Sequence, residues 1–466
     1  NSKGVNIMKN KIKRVLVTGA TGHIGYNICM AILESEIELI VLGRQNESNF
    51  RQNFSLPCKY FQWSNPAESL PPTQAMDVDA VIHLMGAPLD GRRWTEQKKL
   101  EFRSSRIKST RNMVLAIKGA SGCIKVFLTA SAIGIYGEGG ENTFTERSKI
   151  GENFLAKLCH DWEQESKNSS CRNAQLRFGI VLANDSRALK KMLPVFENGF
   201  GGPLSSGDQW MSWVHIEDVV GITMKIIHDP KLAGQINVVS PEPVRNREFT
   251  KLLASALKTK ALLPVPKIAL RLVLGEMADV VLSSQKVLPE KVTANNYTFK
   301  YTKLADAFSS LFSWKESCHD RLFEQQQWTP KPLNEVFDFF SDVKNLEVLT
   351  PPLLNFKVLD KSTENIQEGT KINYKLKIRG VPAKWTSLIT NWQPMNEFAD
   401  VQLKGPYSKW YHRHLFKPLA GGVLLEDKVV YRLPFSQFGG NLLHWFILKD
   451  IKTIFSYRRK RIKEWY

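Results

Sequence analysis

Val15-Leu16-Val17-Thr18-Gly19-Ala20-Thr21-Gly22-His23-Ile24-Gly25 decides how this chain is read. An apolar, β-branched run is followed by three evenly spaced glycines and then by an apolar helical pattern from Ile28 to Leu33. The order predicts a buried strand, a tight turn and a helix. Gly19 admits the turn, Gly22 lets backbone approach a pyrophosphate, and Gly25 lets the helix pack on the strand. A helix N-terminus in this place points free N–H groups at phosphate oxygens. Gly19, Thr21, Gly22, His23, Ile24 and Gly25 are therefore the first candidate cofactor contacts. Such a glycine triplet is informative because a strand precedes it and a helix follows it. The fold class predicted is α/β, a Rossmann-type doubly wound parallel sheet.

Composition sets the frame around this stretch. A chain of 466 residues exceeds one ordinary core, so two or three domains are expected. With 43% apolar and 23% charged residues the composition is that of a globular protein. No apolar run reaches the ~18 residues a membrane span needs, and no secretory h-region precedes the first strand. The expectation is a cytoplasmic protein with no transmembrane segment; Asn1 to Ile7 is set aside. Six scattered cysteines without a CxxC pair favour reduced thiols over a disulfide framework or a zinc site. The net charge of +19 fits nucleic acid, an anionic surface or a basic proteome. No zinc-finger or RNA-recognition signature accompanies it, so no specific nucleic-acid partner is expected. Nothing in the pattern speaks to oligomeric state.

Working outward, Leu39-Ile40-Val41-Leu42 reads as the second strand, ending at Gly43-Arg44. NAD-selective folds place an acid here for the ribose 2′-hydroxyl. None is present, and the planar fork of Arg44 suits a 2′-phosphate. The reading is NADP over NAD, with a solvated surface arginine as the alternative. Tyr60 to Trp63 is a third strand and Asp79 to Ala87 a fourth, its end at Leu84, Met85 and Gly86 lying where the cofactor's sugars run. His83 reads as a satisfied core histidine rather than a base.

The GxxGxxG spacing resembles the extended, epimerase-like branch of the short-chain dehydrogenases/reductases. Gly86-Ala87-Pro88-Leu89, Arg92-Arg93-Trp94-Thr95 and Ser105-Arg106-Ile107-Lys108-Ser109-Thr110 narrow the resemblance to one atypical subfamily. Its members are variously labelled nucleoside-diphosphate-sugar epimerases or cell-division inhibitors, and the likeness continues to about Leu311. The resemblance implies that Gly43, Arg44, Leu84, Met85, Glu101, Arg106 and Val181 contact NADP. It places Arg93 and Arg106 near the cofactor's path, Arg106 standing where common extended members carry Asn. For Glu101 and Arg106 the competing reading is a helix-surface ion pair. The resemblance also implies that Ser131, on the fifth strand (Val126 to Ala132), bonds the substrate's reacting oxygen.

The expected Tyr-x-x-x-Lys dyad is missing from the whole chain; Leu155 and Cys159 stand at its positions. Leucine has no proton to pass and a free thiol titrates near ~8.5. Tyr136, Lys157 and His160 are the substitutes available. Tyr136, in the loop after Ser131, is preferred, since Lys157 is two residues off the required helix position. Segments 185–225 and 245–312 are expected to form the substrate pocket and a small cap. Trp210, Met211 and Trp213 are pocket wall or plain core, and His215 and Asp218 cap the returning helix.

Rhythm changes after Phe312. Residues 313–320 read as a polar linker between an 8–312 reductase-like domain and a 321–466 domain. The latter runs strand, short helices, a series of strands and a long helix from about Asn441 to Glu464. With Asn345-Leu346-Glu347-Val348-Leu349-Thr350-Pro351-Pro352, Gly405-Pro406-Tyr407 and Trp410-Tyr411-His412-Arg413-His414-Leu415-Phe416, it resembles the START/Bet-v-1-like (SRPBCC) helix-grip fold. The resemblance implies an apolar ligand between a curved sheet and the last helix. Leu442, Leu443, Phe446, Ile447, Ile451, Ile454 and Phe455 recur at helical spacing on the face expected to turn inward. Trp410, His412, His414 and Phe416 share one strand face. His-x-His lacks a visible third ligand, so no metal is expected. Arg458 to Arg461 read as a solvated helix face, or as an anionic-lipid contact.

Three functions compete. The first is an NADP-dependent reductase or epimerase acting on a small carbonyl or sugar-nucleotide-like substrate. The second is a catalytically silent NADP-binding regulator, and the third a sensor of a lipid- or polyketide-like ligand. The complete cofactor apparatus favours the first.

Overall fold

A computed structural model of the chain describes residues 11–89, 94–120, 124–261, 263–436 and 441–465, excepting the side chains of 441–443. Arg92, Arg93, Cys123, Leu442, Leu443 and the first ten residues, named above, lie outside it. The chain divides into two compact units. One is built, Ser55–Pro57 aside, from residues up to Ser313, the other from Trp314 onward.

The first unit is organised by seven strands: β1 (Arg14–Thr18), β2 (Glu38–Gly43), β3 (Lys59–Gln62), β4 (Ala80–His83), β5 (Val126–Ala132), β6 (Arg172–Phe178) and β7 (Gly234–Val238). They pair in parallel in the order β7-β6-β5-β4-β1-β2-β3. A sheet covered on both faces needs near-continuous apolar strands. Val15, Leu16 and Val17 of β1 and Ala80, Val81 and Ile82 of β4 are all fully buried. The helices that matter to the site are α1 (His23–Glu34), α2 (Glu96–Arg103), α3 (Ser109–Gly119), α4 (Phe154–Lys167) and α5 (Ile216–His228). The fourth strand is shorter than its apolar run, because the chain leaves the sheet after His83. There the Leu84 N–H turns to the Thr18 hydroxyl at 3.1 Å.

The second unit is a seven-stranded antiparallel sheet: β8 (Arg321–Thr329), β9 (Lys357–Lys361), β10 (Lys371–Ile378), β11 (Val381–Gln393), β12 (Glu397–Lys404), β13 (Lys409–Leu419) and β14 (Gly422–Arg432). Its order is β8-β14-β13-β12-β11-β10-β9. The helix α6 (Leu333–Ser341) packs Phe337 against Trp392 and Phe416, and the final helix α7 (Asn441–Glu464) packs Ile451 and Phe455 against Phe323, Val429 and Tyr431. Of the face expected from helical spacing, Ile447, Ile451, Ile454 and Phe455 join this cluster, whereas Phe446 is 44% exposed.

Two expectations are corrected here. The stretch expected as a polar linker is packed into the second unit. The Lys315 ammonium donates to the Asp320 carbonyl at 2.7 Å, and the fully buried Asp320 carboxylate accepts from the Glu316 and Ser317 amides and from Arg432. Lys315 and Asp320 are buried with these bonds, which composition does not reveal. Arg458 is the second correction: it does not lie on a solvated face but is buried against β13 and β14. Among the described residues no helix is long and apolar enough to cross a membrane.

Gly25 fixes where α1 sits. A Cβ there would overlap the Gly19 carbonyl oxygen and lie 2.9 Å from the Ala20 Cα, both backbone atoms that cannot swing away. Gly25→Ala should destabilise the first unit by about 1–3 kcal/mol, the cost of overpacking a tight contact. Urea unfolding reads this directly; an unchanged midpoint would show that the helix can retreat without cost.

Candidate functional site

Gly19 adopts a φ of +73°, and a Cβ on it would come within 3.0 Å of the Leu84 backbone. This lets the β1–α1 turn lie directly beside the end of β4. Gly22 then caps α1 with extended backbone and no side-chain bond, and no acid occupies the first helical turn. The amides at the start of α1 are left without intrahelical partners, and the helix dipole makes that end favourable to negative charge. His23 adds a buried Nε2 with no hydrogen-bond partner; burial lowers the pKa of the ring.

At the end of β2 the Gly43 backbone is crossed by Tyr60, whose hydroxyl donates to the Gln45 carbonyl at 2.5 Å. Arg44 is exposed and makes no ion pair among the described residues. The nearest following acid, Glu47, is held by Arg51 at 3.1 Å. The tip of β2 thus presents an open guanidinium and no free carboxylate.

Arg106 lies in a π-helical turn (Ser104–Lys108) between α2 and α3. It is 9% exposed, stacks over Trp162 at 5.3 Å, and its guanidinium donates to the Phe102 carbonyl at 3.3 Å. Its guanidinium sits against Gly86, where a Cβ would meet the Arg106 Cζ at 3.0 Å. No carboxylate pairs with it among the described residues. Burial alone lowers its pKa to about 10, so it remains a cation at neutral pH. A buried guanidinium without an anion is costly; here it lies beside the loop that follows β4. Glu101, by contrast, is on the exposed face of α2 and pairs with Lys98 at 2.6 Å. Leu84 and Met85 are half-buried between these groups, and Val181 is buried in a short strand (Ile180–Leu182) pairing with Trp213–His215.

The structure disposes Ser131 and Tyr136 otherwise than expected. Ser131 lies opposite Arg177 in the β5–β6 register, and parallel neighbours share a face. That face looks onto α4. Ser131 donates to Glu163 at 2.7 Å; Glu163 takes two bonds from Arg177, each 2.8 Å; Arg177 donates to the Tyr136 hydroxyl at 2.9 Å; and that hydroxyl donates to Asn237 at 2.6 Å. All five side chains are at most 4% exposed. Burial pushes the Tyr136 phenol up to about 12. Both hydroxyls are buried and bonded within this network.

Strand parity puts Ala132, not Ser131, on the opposite face, and alanine has no hydroxyl to offer. Leu155 packs near Gly134, and Cys159 is buried with its thiol pushed up to about 11, chiefly by burial. Lys157 is exposed and His160 bonds Gln164.

The remaining candidates are structural. His83 is fully buried between the Thr18 and Ser109 hydroxyls, and burial holds its pKa near about 3. His215 caps α5 through the Glu217 amide, and the Asp218 carboxylate accepts from the Lys300 and Tyr301 amides. Trp213 is core. Trp210 is half-buried with Arg245 stacked on it at 4.0 Å.

The Glu163–Arg177 pair was not singled out in the sequence, although the two residues sit on a buried helix face and a central strand. Glu163→Gln should cost the first unit about 3–5 kcal/mol, because it leaves a buried guanidinium without its anion. Ser131→Ala removes one bond and should cost only about 1 kcal/mol. Equal effects of the two in urea unfolding would show that the ion pair is not the centre of the network.

The comparisons with known proteins fit these features. Residues 15–239 match the NAD dependent epimerase/dehydratase family, residues 265–311 a domain of unknown function, and residues 329–454 the polyketide cyclase/dehydrase and lipid transport family. An Arabidopsis thaliana chloroplastic homolog of epimerase family protein SDR39U1 is 36% identical over 310 residues, covering 64% of this chain and 86% of the relative. An epimerase family protein of Staphylococcus aureus is 34% identical over 306 residues, covering 65% and 100%. The structure of human epimerase family protein SDR39U1 (isoform 2) with NADPH superposes with a TM-score of 0.59 at 28% identity, covering 64% of this chain and 99% of that one. The chain belongs to the epimerase family that includes SDR39U1, with a polyketide-cyclase-like domain following its cap.

Proposed function

We propose that the first unit binds NADP(H) and acts on a carbonyl or sugar-nucleotide-like substrate without the usual dyad. The observation that carries the cofactor reading is the buried Arg106 guanidinium, which has no anion of its own among the described residues and lies beside the loop after β4. The cradle at Gly19, Thr21, Gly22, His23, Ile24 and Gly25 offers amides where side chains would collide, and Gly43, Leu84, Met85, Gly86 and Val181 line the remaining path. Arg44, with no competing acid, suits a 2′-phosphate. Glu101 has the weakest claim, since Lys98 already holds it. The human relative's structure with NADPH supports the choice of phosphate form.

Bound NADP(H) would supply hydride transfer at its nicotinamide. What this chain adds is position and charge: Arg106 neutralises phosphate oxygens, and the Glu163–Arg177 network holds β5 and β6 together beneath the site. Ser131 and Tyr136 are therefore positioning residues in this proposal, not proton donors. Their commitment favours a second reading, a cofactor-binding regulator with little turnover. The second unit is proposed to hold an apolar ligand between its sheet and α7.

Calorimetry tests the cofactor reading. NADPH should bind more tightly than NADH by about 2 kcal/mol, the value of a charge-assisted hydrogen bond or two, and Arg44→Ala should narrow the gap. Arg106→Met should weaken both nucleotides by about 1.5–3 kcal/mol. Equal affinity for the two nucleotides, or an Arg106 variant that binds normally, contradicts the assignment. Tyr136→Phe should leave any turnover of a UDP-sugar within a few fold of the parent, once stability is matched. Complete loss would return Tyr136 to the chemistry.

A further inference from the structure

The inner face of the second sheet carries a polar cluster that nothing above employs. Antiparallel register sets Asp400 of β12 directly opposite His412 of β13, and His414 directly opposite Asp427 of β14. Paired residues share a face, as do residues two apart on one strand, so all four side chains meet. The two imidazole centroids are 3.8 Å apart. The cluster is buried: His412, His414 and Asp427 are 7–8% exposed and the Asp400 side chain 15%.

Hydrogen bonding assigns the ring proton of His412. Asp427 Oδ1 lies 3.0 Å from His412 Nε2 and 3.2 Å from His414 Nδ1. An ionised carboxylate only accepts, so His412 Nε2 carries its hydrogen toward Asp427, whereas His414 Nδ1 also lies 3.2 Å from Arg458, which only donates, and bonds one or the other. The ring nitrogens turned away from Asp427 are the remaining two, and that of His412 carries a lone pair. Those two nitrogens, His412 Nδ1 and His414 Nε2, face Asp400 Oδ1 at 3.9 and 3.6 Å. Two imidazole nitrogens and a carboxylate oxygen converge here, a donor set that fits a cation.

The charges agree. Arg458 of α7 reaches Asp427 Oδ1 through NH1 at 3.3 Å, its NH2 lying 3.2 Å from His414 Nδ1. That guanidinium offsets Asp427. Asp400 pairs with no lysine or arginine among the described residues; its other oxygen accepts from the Ser387 hydroxyl at 3.1 Å, itself held by Tyr374 and Trp385.

We propose that Asp400, His412 and His414 bind one divalent transition-metal ion, with Asp427 as the carboxylate that orients both imidazoles from behind. Ligand atoms of the three residues lie within 4.8 Å of one another, so a small inward movement brings them to bonding distance. Two imidazoles and one carboxylate suit zinc or iron(II) and leave coordination positions open. The hydrogen-bonded carboxylate behind each ligating histidine is the usual means of fixing the tautomer and raising its basicity. The third ligand was invisible in the sequence because it comes from the neighbouring strand.

The test uses the full chain, stripped with chelator and dialysed against Zn²⁺ or Co²⁺ alone. One equivalent of metal should be retained at micromolar free ion, and the Co²⁺ form should show visible d–d absorption from nitrogen ligation. His412→Gln, His414→Gln and Asp400→Asn should each abolish both signals while near-UV circular dichroism stays that of the parent. Asp427→Asn should weaken binding about 10- to 100-fold without abolishing it. Should a variant fail to fold, the Co²⁺ spectrum of the parent decides alone. Absence of stoichiometric retention by the parent, or retention unchanged in both histidine variants, overturns the proposal.

Discussion

The contact between Gly25 and the backbone of Gly19 and Ala20 is the constraint on which the first unit rests. No side chain fits there, so α1 can approach the end of β1 closely enough for its N-terminus to face the edge of the sheet. The positive φ of Gly19 brings the same turn against Leu84. Helix terminus, β2 tip and the loop after β4 then converge on one place. The charge placed there is positive: unpaired amides, the exposed Arg44 and the buried Arg106. Burying a guanidinium without an anion is unfavourable in the free protein, and a phosphate-bearing ligand relieves that cost on binding. In the function proposed, part of the affinity comes from this buried charge, which no described carboxylate meets.

A second buried arginine has the opposite character. Arg177 is fully paired with Glu163, and their bonds reach Ser131 on one side and Tyr136 and Asn237 on the other. Such a network is costly to leave half satisfied, which makes its members poor candidates for moving protons. One buried arginine, in the turn between α2 and α3, has no described carboxylate beside it, and the other, on β6, is paired with α4. Only the environment of each distinguishes them.

The parts legible in the sequence were those set by local pattern. The glycine spacing, the apolar strands and the terminal helix are patterns a single segment displays; the first fold followed from them, and the second from its resemblance to the helix-grip fold. What escaped depends on neighbours distant in sequence. Ser131 and Ala132 alternate across one strand, and a shift of one residue exchanges the network face for the open one. Residues 313–320 look solvated until Asp320 meets Arg432, over a hundred positions away. Arg458 sits in a basic run, yet turns inward because Asp427 lies across from it. Asp400 joins His412 only through antiparallel register.

The crystal structure of the full chain with NADPH tests the central claim most directly. The account predicts the pyrophosphate on the amides of Gly22 to Ile24 with Arg106 in hydrogen-bond reach of a phosphate oxygen. It predicts Leu155 and Ala132 beside the nicotinamide, and the bonds from Ser131 to Glu163 and from Arg177 to Tyr136 unchanged. A nicotinamide or its ribose bonded to the Ser131 or Tyr136 hydroxyl, with Glu163 released, would contradict it.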